Sequence, residues 1–314
     1  MRAVTIIDGD LRWDEHPDPV PGPGEVVVAV AAAGVNGADL LQRKGFYPAP
    51  PGSPADIPGL EFSGTVLANG AGAVRFAVGD RVMAICGGGG QAEQVVVPES
   101  HLLPVPDGID LVHAGGFPEA YSTAQDALFT QAELSEGHTV LISGAAGGVG
   151  TAAVQLAAVA GARVVATVRS PDHHDAVRAL GADVVIAPDE VAAHGPYDVS
   201  LELVGAPGVE AVLPHLTTGA RIVVIGVGAG AKAQVNLLAV MGARATIGGS
   251  TLRARSTEEK AGVAWLVEAR AVRLLGEGAV TVPVADTFPM ADAAAAYERF
   301  AAGGKLGKII LVNG

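Results

Sequence analysis

Three glycines spaced three residues apart, Gly144, Gly147 and Gly150, have the residue type and spacing of a phosphate-binding turn. They lie between the apolar run VLIS and the helix-like run TAAVQLAAVAGA, so the order is strand, turn and helix. Glycine permits the backbone of a tight turn and lets a phosphate approach bare N–H groups at a helix N-terminus. The pattern predicts a dinucleotide site, with contacts from Gly144, Ala145, Gly147, Gly148, Val149 and Gly150.

The glycine repeat has a second interpretation, in which it only allows the helix to pack closely on the sheet. The spacing G-x-x-G-x-x-G differs from the commoner G-x-G-x-x-G, and a glycine repeat alone is a weak signal. The following run RVVATV supplies the second strand of a βαβ unit. This context favours the dinucleotide site.

The residues that end the second strand bear on the choice of dinucleotide. An NAD-selective site usually has an acidic residue there, which accepts a hydrogen bond from the ribose 2′-hydroxyl. This chain has Arg169 and Ser170 instead, and a guanidinium and a hydroxyl suit a 2′-phosphate. We therefore expect NADPH as the cofactor; the alternative is that Arg169 is only a solvated loop cation.

No metal site is expected. A catalytic zinc needs three protein ligands, usually from Cys, His and carboxylate side chains. Cys86 is the only cysteine, and none of the eight histidines forms a pair at ligand spacing. The single cysteine also excludes an intramolecular disulfide and is typical of a reducing cytoplasm.

Composition limits the classes of function. The chain has 314 residues, of which 49% are hydrophobic and 17% are charged, and this predicts two folded domains with a large core. The net charge of −13 argues against nucleic acids and anionic membranes as partners. The N-terminal MRAVTIIDGD has no long apolar region, so no signal peptide is expected. The uncharged segment 139–162 is interpreted as a buried strand and helix, because four glycines between 144 and 150 interrupt it.

The first part of the chain shows short strand-like runs separated by glycine and proline. Nine of the 20 prolines precede residue 59, which disfavours long helices there. This predicts a partly open, mainly antiparallel β domain. Its predicted elements are the strands Arg2–Ile7, Val26–Ala33, Glu61–Val66, Arg81–Ile85 and Glu93–Val97 and the helix Ala38–Gln42.

The middle of the chain alternates six strands with helices, which predicts an α/β, doubly wound parallel sheet of the Rossmann type. The predicted strands are Val140–Ile142, Val164–Val168, Val184–Ile186, Val199–Leu203, Arg221–Ile225 and Ala245–Ile247, and the helices include Tyr121–Leu128, Ala176–Leu180 and Val209–Leu216.

The C-terminal part is expected to return to the first domain. Its predicted elements are the helix Thr257–Leu275, the strand-like TVPVADTF, the helix Ala291–Ala302 and the strand Ile309–Val312. Residues 119–255 would then form a Rossmann domain inserted into a β domain made of 1–118 and 256–314, with the active site in the cleft between them.

Several long blocks resemble the zinc-free quinone oxidoreductase family, which includes zeta-crystallin, of the medium-chain dehydrogenase/reductase superfamily. They are AAAGVNGADLLQRKGFYPAPPG, IPGLEFSGTV, VGDRVMAICGGGGQAEQVVVPE, LISGAAGGVGTAAVQLA, GSTLRAR and GKLGKIIL. The blocks YPAPPG, CGGGGQAEQVVVPE and FPEAY most resemble the tumour-suppressor-inducible branch. The resemblance implies that the β domain is GroES-like. Zinc-dependent members of the superfamily have a Cys where this chain has Asn36 and a His where it has Leu60.

The resemblance also implies further site residues. The expected cofactor contacts beyond the glycine turn are Thr123, Gly226 and Val227 near the nicotinamide, and Ser250, Leu252, Arg253 and Lys305 closing over the cofactor. On the substrate side, the Asn36 amide would orient the ribose or a quinone oxygen, and the Tyr47 phenol would donate to a carbonyl. The alternative for Tyr47 is a loop aromatic residue that packs on the proline-rich PAPP. The alternative for Lys305 is a surface lysine before a strand.

The chain departs from the family pattern near the adenosine end of the expected cofactor site. Where relatives often have a lysine soon after the serine, this chain has Pro171, Asp172 and His173, and it has Pro188 in place of a frequent tyrosine. These departures predict a weaker preference for NADPH than in the relatives.

Three functions remain open. Without a Lewis acid, the acceptor itself must spread the developing negative charge, as quinones and conjugated enones do. The leading hypothesis is an NADPH-dependent quinone reductase that uses direct hydride transfer from nicotinamide C4. The alternatives are an enoyl or α,β-enone reductase and an NADPH-binding protein with incidental activity. A cytoplasmic homodimer is expected, with 245–247 as the pairing edge.

Overall fold

The computed structural model describes residues 1–314. The chain divides into two compact units, the first formed by Met1–Ser122 with Leu252–Gly314 and the second by Thr123–Thr251. The N-terminal part of the first unit contains the strands β1 (Arg2–Ile7), β2 (Asp10–Glu15), β3 (Glu25–Val35), β4 (Glu61–Asn69), β5 (Arg81–Ile85), β6 (Gln94–Pro98) and β7 (Leu102–Pro104). Its helices are α1 (Gly37–Arg43), α2 (Leu111–Ala114) and the start of α3 (Pro118–Gln125).

The second unit alternates strands and helices. A π-helical segment, Asp126–Gln131, follows α3 directly. The strands are β8 (Thr139–Ile142), β9 (Arg163–Thr167), β10 (Val184–Ile186), β11 (Tyr197–Glu202), β12 (Leu216–Val224) and β13 (Thr246–Gly249). The helices are α4 (Gly148–Val159), α5 (His174–Ala179), α6 (Val191–His194), α7 (Ala206–Val212) and α8 (Leu237–Ala243).

The C-terminal part belongs to the first unit. It contains α9 (Thr257–Val267), a π-helical segment Glu268–Val272, α10 (Arg273–Gly276), β14 (Val284–Pro289), α11 (Ala293–Ala302) and β15 (Lys308–Val312). No helix in the chain has both the length and the apolar character needed to cross a bilayer.

The first unit is built on a seven-stranded sheet with the order β14-β15-β3-β4-β5-β7, and β6 pairs with β3 outside this path. The pairing of β15 with β3 is antiparallel and sets Ile309 opposite Val35, which incorporates the C-terminal strand into this sheet. Buried side chains from the sheet and from α11 form one apolar core, including Val28, Phe62 and Tyr297. This burial removes apolar surface from water and holds the sheet and α11 together.

The second unit is a six-stranded parallel sheet with the order β10-β9-β8-β11-β12-β13. This is the doubly wound order, in which the strand sequence reverses between β8 and β11, and ligands bind beyond the carboxyl ends of the strands at that point. Short runs of valine and isoleucine form the central strands because both faces of the sheet are covered. The predicted fold class, a Rossmann sheet inserted into a GroES-like β domain, is confirmed.

Two local differences from the predicted elements have clear causes. The helix predicted over Tyr121–Leu128 begins at Pro118, a residue type favoured at a first helical position, and its second half is π-helical. The strand β2 was not predicted, because its residues are mostly polar and half exposed. Its signal was the pair Asp8 and Gly9, which both have positive φ and form the tight turn of the β1–β2 hairpin.

Candidate functional site

The glycine turn connects β8 to α4 at the carboxyl edge of the parallel sheet. Gly144 has a φ of +61°, in the left-handed region that favours glycine. A Cβ on Gly150 would lie 2.6 Å from the Gly144 carbonyl oxygen and from the Ala145 Cα, so no side chain fits there. The chain enters the twelve-residue α4 at Gly147, and the first amides of that helix have no partner within the helix. The turn therefore has the bare, donor-rich geometry that a pyrophosphate requires.

A buried carboxylate supports the same edge of the sheet. Glu202, the last residue of β11, is fully buried, and its Oε1 accepts hydrogen bonds from the Ser143 hydroxyl (2.8 Å) and the Gly205 amide (2.7 Å). Ser143 directly follows β8, so this carboxylate links the two strands between which the sheet order reverses. Glu202 was not predicted as a site residue, although an acidic residue at the end of an apolar strand was the available signal.

The end of β9 carries the residues predicted to select the dinucleotide. Arg169 is exposed, and its side chain forms no hydrogen bond or ion pair within the chain. Ser170 is half buried, and its hydroxyl donates to the Asp172 carboxylate at 3.3 Å. The Arg169 guanidinium is therefore available to bind a phosphate, but the Asp172 carboxylate close to it in sequence would repel that phosphate.

The remaining predicted cofactor contacts of the second unit occupy different surroundings. Thr123 is buried and Val227 is half exposed. Gly226 packs so closely against the residue that follows β11 that a Cβ would lie 2.1 Å from the Leu203 carbonyl oxygen. The Ser250 hydroxyl follows β13 and accepts a hydrogen bond from Gln131 at 2.7 Å. Gln131 also donates to Asp126 at 2.6 Å, so the π-helical segment holds Ser250 in a polar cluster.

In the first unit, Asn36 lies beside a buried ion pair. The Lys308 ammonium is 2.5 Å from Glu61 Oε1, and both side chains are almost fully buried. The Asn36 amide connects to both partners, because its Oδ1 accepts from Lys308 (2.6 Å) and its Nδ2 donates to Glu61 (2.9 Å). The Glu61 Oε2 atom accepts from the Glu119 amide at 2.8 Å. The cluster fixes the orientation of Asn36, and Lys308 is a site residue that sequence analysis missed.

Asp39 lies next to this cluster and is fully buried. Its carboxylate accepts hydrogen bonds from the backbone amides of Asn36 (2.8 Å) and Gly59 (3.1 Å). Burial raises the pKa of Asp39 to about 7, against the opposing effect of these two hydrogen bonds. Nearby, burial raises the pKa of the Cys86 thiol to about 12, and this thiol donates to the Gly59 carbonyl at 3.2 Å. A thiol that stays protonated is inert, so Cys86 acts as a small buried residue.

The raised pKa of Asp39 predicts a pH-dependent stability. Between pH 4 and 7 the folded protein keeps a proton on Asp39 that the unfolded chain has lost, so the free energy of unfolding falls as pH rises through this window. The Asp39→Asn variant cannot titrate. When the pH rises from 5 to 8, the free energy of unfolding of wild type should fall by about 3 kcal/mol relative to that of Asp39→Asn. Urea unfolding of both proteins across this range measures the difference. Parallel pH profiles for the two proteins would contradict this prediction.

The other predicted cofactor contacts of the first unit do not lie together: Leu252 and Arg253 are neighbours in the chain, whereas Lys305 has different partners. Arg253 is buried, and its guanidinium donates to the main-chain oxygen of Tyr47 at 2.8 Å. Leu252 is also buried and lines a cavity of about 20 Å³ with His101 and Lys260. Lys305 instead donates to the Gly307 carbonyl at 2.8 Å, and burial lowers the pKa of its ammonium to about 8. Ser250 lies in the second unit, so the motif GSTLRAR is divided between the two units.

Two family descriptions match parts of this chain. "Alcohol dehydrogenase GroES-like domain" matches residues 22–107, and "Zinc-binding dehydrogenase" matches residues 148–268. The quinone oxidoreductase of Rattus norvegicus is 30% identical over 305 residues, which cover 94% of this chain and 91% of that protein. The chain belongs to the medium-chain dehydrogenase/reductase superfamily. Members of this superfamily bind a nicotinamide cofactor.

Other members of the superfamily match in sequence or in structure. The quinone oxidoreductase-like protein 2 homolog of Nematostella vectensis is 41% identical over 150 residues, and the human VAT-1 homolog is 38% identical over 163. These alignments cover 47% and 52% of this chain but only 41% of each relative, so the chain spans about two fifths of their length. An alcohol dehydrogenase superfamily protein from Novosphingobium aromaticivorans superposes with a TM-score of 0.89 at 28% identity, and both chains are covered completely.

Membership of this superfamily raises the question of a metal. No group of three His, Cys, Asp or Glu side chains in the chain is arranged to hold a metal ion. Asn36, which the resemblance aligns with a cysteine ligand of zinc-dependent members, has the ammonium of Lys308 and the carboxylate of Glu61 as its partners. The Lys308 ammonium, 2.6 Å from the Asn36 Oδ1 atom, would repel a divalent cation bound at Asn36, so these residues do not fit a catalytic zinc.

Proposed function

We propose that this oxidoreductase is an NADPH-dependent, zinc-independent quinone reductase. The observation that carries the proposal is the Asn36–Glu61–Lys308 cluster, in which a buried ion pair and an amide stand at a position used for zinc ligation in other members. Without a Lewis acid, the acceptor must stabilise the charge of an incoming hydride by itself, and a quinone does so through its conjugated ring. The similarity to rat quinone oxidoreductase supports the same substrate class.

The chemistry divides between the cofactor and the chain. A bound nicotinamide supplies the hydride, which adds two electrons to the quinone and leaves a hydroquinone anion that takes a proton from water. The glycine turn would hold the pyrophosphate, because Gly150 lets α4 start directly against Gly144 and Ala145, with its first amides free to donate. The Tyr47 phenol would donate a hydrogen bond to the quinone oxygen as negative charge develops there. The fixed amide of Asn36 would help to orient the ribose or the quinone.

The choice of NADPH is supported by Arg169, an exposed guanidinium without a partner at the end of β9. We expect Arg169→Ala to raise the KM for NADPH about tenfold or more, because a charge-assisted hydrogen bond to the 2′-phosphate is lost. The KM for NADH should stay within about twofold, since NADH has no 2′-phosphate. Steady-state kinetics with both cofactors measure the difference. An equal rise for the two cofactors would contradict the role assigned to Arg169.

We further propose a homodimer formed along β13. This strand is at the edge of the six-stranded sheet, and the neighbouring α8 exposes apolar side chains: Leu237 and Met241 are each 70% exposed and Leu238 is 77% exposed. A second copy would pair the edge and cover this surface. Sedimentation velocity should show a dimer for wild type and a monomer for Leu238→Glu/Met241→Glu. A monomeric wild type would contradict the proposal.

A second candidate is an α,β-enone reductase, which would use the same hydride donor but must also protonate the α-carbon of its substrate. The Tyr47 phenol could serve as that acid. NADPH oxidation by an ortho-quinone and by a simple enone, with NADH controls, separates the two functions. Fast quinone turnover supports the proposal, and enone turnover with no quinone reduction contradicts it. NADPH binding without turnover of either acceptor would indicate a binding protein.

The single buried cysteine supports a cytoplasmic location for either enzyme.

A further inference from the structure

Arg253 is a buried cation that has backbone and amide oxygens as its partners. Only 6% of the residue is exposed. Its Nε donates to the Gly87 carbonyl at 2.9 Å, its Nη1 to the Tyr47 carbonyl at 2.8 Å, and its Nη2 to the Gln42 side chain at 2.6 Å. Burial lowers the pKa of the guanidinium, although arginine remains charged. A buried guanidinium lowers stability unless its N–H groups form hydrogen bonds. These three hydrogen bonds therefore keep Arg253 in this one position.

The three acceptors lie on three different segments of the first unit. Gln42 is on α1, Gly87 follows β5, and Tyr47 lies in the long loop between α1 and β4. Gln42 extends the network, because its Nε2 donates to the Ala55 carbonyl later in the same loop at 3.1 Å. Arg253 therefore connects both the start and the end of this loop to the rest of the unit.

The guanidinium also contacts the ring of Tyr47. The Arg253 Cζ atom lies 4.9 Å from the ring centroid, within the range of a cation–π interaction. One side chain thus binds the backbone of Tyr47 and packs against its ring. These two contacts restrict both the position of the residue and the plane of its ring, and so the direction in which the phenol points.

We propose that Arg253 is a positioning residue for the substrate, which acts by orienting Tyr47 and ordering the 45–55 loop. Family resemblance had assigned Arg253 to the cofactor, whereas every hydrogen-bond partner of its guanidinium belongs to the first unit. The inference rests on the proposed function in one respect, namely that Tyr47 donates to the carbonyl of a quinone. The expected substrate is a planar conjugated carbonyl compound that this tyrosine meets in a fixed orientation.

The experiment compares Arg253→Gln and Arg253→Lys with wild type and with Arg273→Gln, which changes an exposed arginine of the same unit. Arg253→Gln should raise the KM for phenanthrenequinone about tenfold, while the dissociation constant of NADPH, followed by fluorescence, stays within about twofold. Arg253→Lys keeps the charge and one hydrogen bond, so it should restore part of the loss. In Tyr47→Leu, adding Arg253→Gln should have little further effect on KM, because Arg253 acts through Tyr47.

Amide hydrogen exchange supplies a readout that does not depend on turnover. Arg253→Gln should speed exchange of residues 45–55 while leaving the parallel sheet protected, and Arg273→Gln should change neither. If quinone turnover is absent in wild type, the proposed function fails, and the exchange result still decides whether Arg253 orders the loop. Unchanged loop exchange would overturn the inference, and so would a raised dissociation constant for NADPH with an unchanged KM for the quinone.

Discussion

Replacing Lys308 by methionine is expected to lower the free energy of unfolding by about 3–5 kcal/mol, because it leaves the Glu61 carboxylate buried without its counter-ion. Glu61 is fully buried, and the Lys308 side chain is only 4% exposed, so water cannot replace the lost partner. The same change removes the donor to Asn36 Oδ1, and we expect quinone turnover to fall as the amide loses its orientation. Urea unfolding followed by circular dichroism measures the stability change.

Two further variants identify the cause of the Lys308 effect. Lys305→Met makes the same substitution three residues earlier, at a lysine that contacts the Gly307 carbonyl and the Phe300 ring but no carboxylate. It should cost less than about 1 kcal/mol. Adding Glu61→Gln to Lys308→Met removes the isolated charge and should recover at least half of the loss. If Lys308→Met and Lys305→Met were equally destabilising, the ion pair would not be the source of the effect.

Gly150→Ala is expected to weaken NADPH binding at least tenfold, an effect of about 1.4 kcal/mol or more. The added Cβ would lie 2.6 Å from the Gly144 carbonyl oxygen, so either the turn or the start of α4 must shift. This displacement moves the helix amides away from the geometry that a pyrophosphate needs. The overpacking should also destabilise the fold by about 1–3 kcal/mol. Isothermal titration with NADPH, together with thermal unfolding, measures both effects.

Gly262→Ala serves as the matched control for Gly150→Ala. Gly262 lies within α9, where a Cβ would have no heavy atom within 4 Å. This change should leave NADPH affinity unaltered and raise stability by about 0.5–1 kcal/mol, since alanine favours a helix over glycine. Unaltered NADPH affinity in Gly150→Ala would mean that the glycine turn does not form the pyrophosphate site.

The parts of the molecule that sequence could predict are those encoded within short segments. The strand, the glycine turn and α4 occupy neighbouring residues, so their order and their glycine spacing are visible in the chain. The alternation of apolar runs with helices likewise predicted all six strands of the parallel sheet, and their ends differ from the prediction by a few residues. The hairpin turn at Asp8 and Gly9 is equally local, but the pair was not interpreted as a turn and β2 was therefore not predicted.

The clusters that hold the site together were not predictable in this way. Lys308 contacts Asn36 across 272 positions of sequence, and Arg253 contacts Gln42 across 211. A lysine at the start of an apolar strand has no local feature that marks it as buried, so Lys308 was not predicted. Resemblance treated GSTLRAR as one cofactor-binding motif, whereas the structure divides it between two units with different partners.

The most direct test of a zinc-independent, NADPH-dependent quinone reductase is the rate of NADPH oxidation by phenanthrenequinone before and after exhaustive chelation. We expect a rate that is unchanged by chelation, is not increased by added zinc, and exceeds the rate with NADH. The Lys308 ammonium beside Asn36 and Glu61 is the physical reason for this expectation. Loss of activity on chelation with recovery on adding zinc would show instead that the enzyme depends on zinc.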